Sequence, residues 1–277
     1  MSRVSDTSSP AHVRRGPNAG RFGDVDSTRL PLLVTAAALV TTAAVAATAV
    51  AGPALLAGLL AILALIVALG WPVLGGPPSL GRVQLGLAIG GLLVAGTVGL
   101  TTGPYRLVWL PVAVAIGMIA SFFLQLLRSD DRHGLTEAMS VAACGLAALA
   151  SGATLVPLSL SDKGVRFLLV GLVGLAAGTI AELSGRARAI GAKAVFVVMV
   201  VGALASWVAA QFAGMSGSAA VGMGMLLASF SYSARRIFGA VPGAREAAGQ
   251  VALGVGTVLL PGILVLALGA IAQVTPG

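Results

Sequence analysis

Charge is scarce in this 277-residue sequence. Only 9% of the residues are charged and 57% are hydrophobic, and the mean hydropathy is +1.00; soluble domains carry roughly a quarter charged residues. Such a composition excludes a soluble globular domain, which would lack the polar surface to cover its core. Cysteine is reduced to Cys144, so no intramolecular disulfide can form and the redox compartment is not legible. Its apolar surroundings predict a buried, inert thiol. Histidine occurs twice, and the sequence contains no Ser/His/Asp set, no His-Glu-x-x-His and no phosphate-cradling loop. No complete catalytic or cofactor motif is present, so no cofactor is expected. Aromatics make up 5% of the chain and do not interleave with the basic residues. The net charge of +8 therefore points to membrane topology, and nucleic acid is not an expected partner.

What is abundant is long apolar runs. A spanning helix needs about 20 predominantly apolar residues and satisfies its own backbone within the bilayer. The pattern predicts an all-α, polytopic bundle of nine transmembrane helices in the cell membrane. The expected spans are Leu30 to Val50, Ala54 to Leu74, Val83 to Leu100, Leu107 to Leu127, Ala138 to Leu158, Arg166 to Leu183, Ala194 to Ala213, Ser218 to Ala234 and Ala247 to Val274, with a kink at Pro261. Residues 1–29 are rich in Ser, Arg, Asp, Gly and Pro and predict a disordered basic tail. Residues 30–277 form a single transmembrane domain. The turns Ala51-Gly52-Pro53 and Gly75-Gly76-Pro77-Pro78 separate neighbouring spans.

The densest charge lies in the central stretch Arg128 to Glu137, RSDDRHGLTE. With nine spans, 14 of the 17 Lys and Arg residues fall on one side of the membrane, and only Arg106, Lys163 and Arg166 fall on the other. That asymmetry places the N-terminus in the cytoplasm and the C-terminus outside. Asp130, Asp131 and His133 suggest metal ligands by type, but Arg128 and Arg132 are interleaved with them, as expected of a solvated loop. No metal site is expected.

No ionisable residue lies at the middle of a span, where proton relays and transport sites reveal themselves. Glu182 comes nearest, and Arg186 one turn later predicts an i, i+4 interfacial pair. Thr41, Thr42, Thr97, Ser151, Thr154 and Ser206 can line a polar path or bond to their own helix. Gly86 with Gly90 and Gly174 with Gly178 have the spacing that lets helices approach closely. They suit packing within one bundle ahead of a dimer interface; membrane lipid and a homo-oligomer or membrane-protein partner are the expected partners.

Two stretches carry a family resemblance. The first, Ala181-Glu182-Leu183-Ser184-Gly185-Arg186, matches the Ala, Gly and Arg of an Asp-x-x-Ala-Tyr-x-x-Gly-Arg motif. The second, Ser231-Tyr232-Ser233-Ala234-Arg235-Arg236, echoes a signature of Ser, then Lys-Arg, then Lys-Asp-x-Gly. In both the chain resembles the phosphatidate cytidylyltransferase family, polytopic enzymes that make CDP-diacylglycerol from phosphatidate and CTP. The departures fall on the acids: the family's first Asp aligns with Gly178 and its Tyr with Glu182, and its Lys-Asp pair reads Val241-Pro242. Without those carboxylates to hold divalent metal against the triphosphate, the resemblance implies a degenerate member that is catalytically dead by the family's mechanism.

These readings predict a multi-pass membrane protein without its own catalytic centre, acting as a lipid-contacting or partner-binding component. Arg186, Arg235 and Arg236 are the candidate contacts to anionic lipid headgroups. The alternatives are a small-solute permease, hinted at by Pro261 and the glycines of the last span, and a lipid nucleotidyltransferase-like enzyme with residual activity.

Overall fold

The computed structural model describes residues 32–77, 79–102, 106–127, 134–184 and 193–272. These form ten α-helices and two short 3-10 turns, with no strand among the described residues. In chain order the helices are α1 (Leu32–Ala51), α2 (Pro53–Gly75), α3 (Leu80–Leu100), α4 (Leu110–Leu126), α5 (Leu135–Ala153), α6 (Asp162–Leu183), α7 (Ala194–Ala213), α8 (Gly217–Phe238), α9 (Ala247–Leu259) and α10 (Gly262–Ile271). Within the described residues, each expected apolar run coincides with helix for most of its length. Among the described residues, seven passages are long and apolar enough to cross a membrane, taking α5 with its following turn, and α9 with α10, as one passage each. The remaining helices are α4, with 17 residues, and α8, which is longer but carries four serines and a tyrosine. The expected basic tail and the loop residues 128–133, including Asp130, Asp131 and His133, lie outside the described residues.

The punctuation follows from local chemistry. Gly52, with φ at 126°, separates α1 from α2, and Pro53 opens α2 at a position where its missing N–H costs nothing. Gly76 and Gly214 close α2 and α7 in the left-handed conformation. Ser161 Oγ accepts a 3.1 Å hydrogen bond from Gly164 N, so α6 begins at Asp162, a turn earlier than expected.

α9 is the centre of the bundle. It packs among α1, α2, α5 and α8, and every residue from Ala252 to Leu259 is buried, as for a helix wrapped on all sides. Glycine permits that enclosure: a Cβ at Gly254 would sit 2.6 Å from the Val34 carbonyl of α1. The glycine pairs seen in the sequence pack inside the chain. Gly86 and Gly90 of α3 face Ser121 and Gly117 of α4, and Gly174 and Gly178 face α7 and α8. Leu204, Trp207 and Phe212 of α7 and Ile116, Ile119 and Phe123 of α4 point outward, as suits helices surrounded by hydrocarbon.

At Pro261 the last passage is interrupted outright, with α9 ending before it and α10 starting after it. The backbone groups released there are taken up by Ser151 of α5. Its Oγ donates to Leu260 O at 2.6 Å and accepts from Ile263 N at 2.9 Å. Replacing Ser151 with alanine strands both groups in an apolar interior, and the expected loss is about 1–3 kcal/mol. Thermal unfolding in detergent reads it; an unchanged midpoint would mean that the break is held by packing alone.

Candidate functional site at the ends of α6 and α8

The most concentrated polar chemistry among the described residues lies where the last turns of α6 and α8 meet. Arg235 is fully buried and Glu182 is 7% exposed. Arg235 Nε donates to Glu182 Oε2 at 2.9 Å, and Nη2 stands 2.8 Å from the same oxygen. Arg235 Nη1 donates to Ser231 Oγ, one turn earlier on α8, at 2.7 Å. Nε and Nη1 thus donate hydrogen bonds, and Nη2 is held only by the charge of Oε2, without hydrogen-bond geometry. A buried charge is tolerated only with such compensation, because desolvating it alone costs several kcal/mol.

Arg236, the next residue, is exposed. Its guanidinium lies 5.9 Å from the centroid of the Tyr232 ring, and its Nη1 is 3.2 Å from Tyr232 Oη. Tyr232 in turn packs with Ala194, Val198 and Ala228, joining the start of α7 to α8. Two adjacent arginines, about 100° apart around the helix, therefore have opposite environments.

These positions revise the sequence reading. Glu182 pairs with Arg235 across to α8, a contact that the same-helix spacing does not propose; Arg186, the partner expected one turn on, lies outside the described residues. Arg235 was expected at a headgroup surface, but burial in the ion pair removes it from lipid. The expected end of the eighth span at Ala234 is also too early, since α8 continues to Phe238 and carries both arginines within the helix. A signal for this exists in the sequence. The inward stripe Gly224, Ala228, Ser231 continues in steps of three and four to Arg235, whereas Arg236 falls off it.

Gly178, where the resembling family carries an acid, is a packing position. A Cβ there would stand 2.7 Å from Ala228 Cβ and 3.1 Å from Val198 Cγ1, so the space of a carboxylate is filled by neighbouring helices. Pro242 opens a 3-10 turn, Pro242–Arg245, and the Gly243 that follows lies against the backbone of Val73. Among the described residues no three His, Cys, Asp or Glu side chains converge on a metal position.

The hydroxyls divide into two classes. Thr42, Thr97 and Thr154 bond to carbonyls of their own segment. Ser206 and Ser151 bond between helices, Ser206 to Val170 O at 2.9 Å. Two basic residues counted as topology determinants also cap helices: Arg82 Nη1 donates to Leu124 O at the end of α4, and Arg106 Nη1 to Val98 O near the end of α3. Cys144 departs from expectation, since it is exposed on α5 and faces the surface that hydrocarbon would cover.

Neither the family models, the curated proteins nor the solved structures contain a match to this chain.

Proposed function

We propose that the chain is a multi-pass component of the cell membrane that works through its lipid-facing and partner-facing surfaces, without a catalytic centre of its own. The carrying observation is the buried contact of Ser231, Arg235 and Glu182, in which the inward basic group of α8 joins two helices of the fold. On this reading the nine apolar passages all cross the bilayer, α4 and α8 included, with the N-terminus on the side of Lys193 and Arg236. The kinship to phosphatidate cytidylyltransferases remains part of the proposal. Under it, the chain keeps the arginine and serine of a cytidylyltransferase-like frame and uses them to join two helices. Gly178 is sealed by Ala228 and Val198, which favours a member without nucleotidyl transfer.

The permease reading has one observation in its favour, the interruption of the last passage at Pro261. Its freed backbone groups are bound to Ser151, however, and the adjoining Thr154, Leu155, Val156 and Leu158 are buried. A solute site of the broken-helix kind needs such groups open to a cavity. Reconstitution of the full chain into liposomes tests the three readings together. Neither CTP-dependent turnover of phosphatidate nor uptake of small solutes is expected above protein-free vesicles. Robust turnover would establish a lipid enzyme, and saturable uptake a permease, and either result would overturn the proposal.

A further inference from the structure

The outer face of α6 and α7 carries a groove of about 580 Å3. Val173 of α6 forms one wall, and Leu204, Val208 and Phe212 of α7 form the other. Val201 and the half-buried Ala205 and Ala209 lie between these ridges, and the small side chains make the recess. No polar side chain lines it. From Val201 to Phe212 it follows α7 for about 16 Å, at 1.5 Å per residue. This is about half of the roughly 30 Å hydrocarbon core, the reach of an acyl chain in one leaflet.

One end of the groove is basic. The Ser206 to Val170 hydrogen bond fixes the antiparallel register of α6 and α7, and continuing that register places Arg166 level with Ala210, at the Phe212 end. Arg166 and Val173 are seven residues apart and share the exposed stripe of α6. Arg166 is exposed and forms no ion pair with the described residues, Asp162 one turn before it included; exposed Lys163 offsets the charge of that acid. With Lys163 and Asp162 balancing each other, Arg166 is the uncompensated charge at the head of the apolar recess.

We infer that this groove binds an anionic phospholipid, one acyl chain lying along Ala205 and Ala209 and the phosphate pairing with Arg166. The inference rests on the proposed lipid-facing role and moves the headgroup contact from Arg235, which is buried, to the opposite end of α6. Annular lipid would show no such preference for an anionic headgroup.

The test is native mass spectrometry of the full-length protein released from nanodiscs containing equal phosphatidylglycerol and phosphatidylcholine with identical chains. Adducts of phosphatidylglycerol are expected to exceed those of phosphatidylcholine about fivefold, the ratio one arginine provides near a membrane surface. Arg166→Gln should bring the ratio close to one, and Arg166→Lys should retain most of it. Ala209→Phe and Ala205→Leu fill the recess and should remove adducts of both lipids. Selectivity surviving in Arg166→Gln, or undiminished adducts in both filled variants, would overturn the inference; because Arg166 is exposed, its variants do not depend on repacking. Adduct ratios are independent of turnover and flux, so enzymatic or transport activity would sink the proposed function and leave this result standing.

Discussion

Replacing Arg235 with alanine is expected to destabilise the protein by about 3–5 kcal/mol, the range found when one member of a buried ion pair is removed and the other charge is left behind. The guanidinium is fully buried and its acceptor Glu182 is nearly so, so neither solvent nor salt offsets the loss. Unfolding in detergent micelles, followed by circular dichroism, measures it. The double variant Glu182→Leu with Arg235→Met should recover most of the stability, because an apolar pair of similar volume needs no desolvation. That reversal distinguishes loss of a charge partner from loss of packing volume, which would make the double variant worse than either single one. Arg236→Ala should cost only about 0.5–1 kcal/mol, since it gives up an exposed contact with Tyr232. Equal losses at Arg235 and Arg236 would refute the network.

The second large effect is expected at Gly224. α6, α7 and α8 come together there through backbone: a Cβ on Gly224 would run into Gly202 O and stand 2.6 Å from Ser206 Cβ, and one on Gly174 would lie 2.9 Å from Gly202 O and from Gly224 Cα. Neither neighbour is the end of a flexible side chain. Gly224→Val must therefore separate two helices, with an expected loss at or above about 3 kcal/mol, the upper part of the range for overpacked cores. Gly222, two residues earlier, has nothing within 4 Å of such a Cβ. Gly222→Ala should raise stability by about 0.4–1 kcal/mol by restricting the unfolded chain. Comparing their unfolding midpoints checks the packing directly; similar midpoints would mean that the three-helix contact does not form.

The glycine spacings show how far sequence reading reaches. Gly174 and Gly178 mark a close approach by their interval alone, but the interval does not say which helices approach. The structure supplies Gly202 and Ser206 of α7 and Gly224 and Ala228 of α8, none of which stands out in so Ala- and Gly-rich a chain. Ser151 is similar. Its residue type permits a bond to its own helix or to another, and only its placement beside the Pro261 interruption selects the second. For Glu182 the i, i+4 rule proposes a partner on the same helix, and it gives no sign of the contact with Arg235, 53 residues away.

Sequence alone determined that this chain is a bundle of membrane-crossing helices, where its apolar passages run and where they break. Those properties are local: hydrocarbon selects for apolar length, excludes unpaired charge and requires each segment to satisfy its own backbone. Tertiary structure decided which side chains meet. Arg235 and Arg236 are identical in kind and adjacent in sequence, yet one joins α6 to α8 and the other faces outward, because a helix assigns neighbours to different faces and only the surrounding helices define which face is the interior.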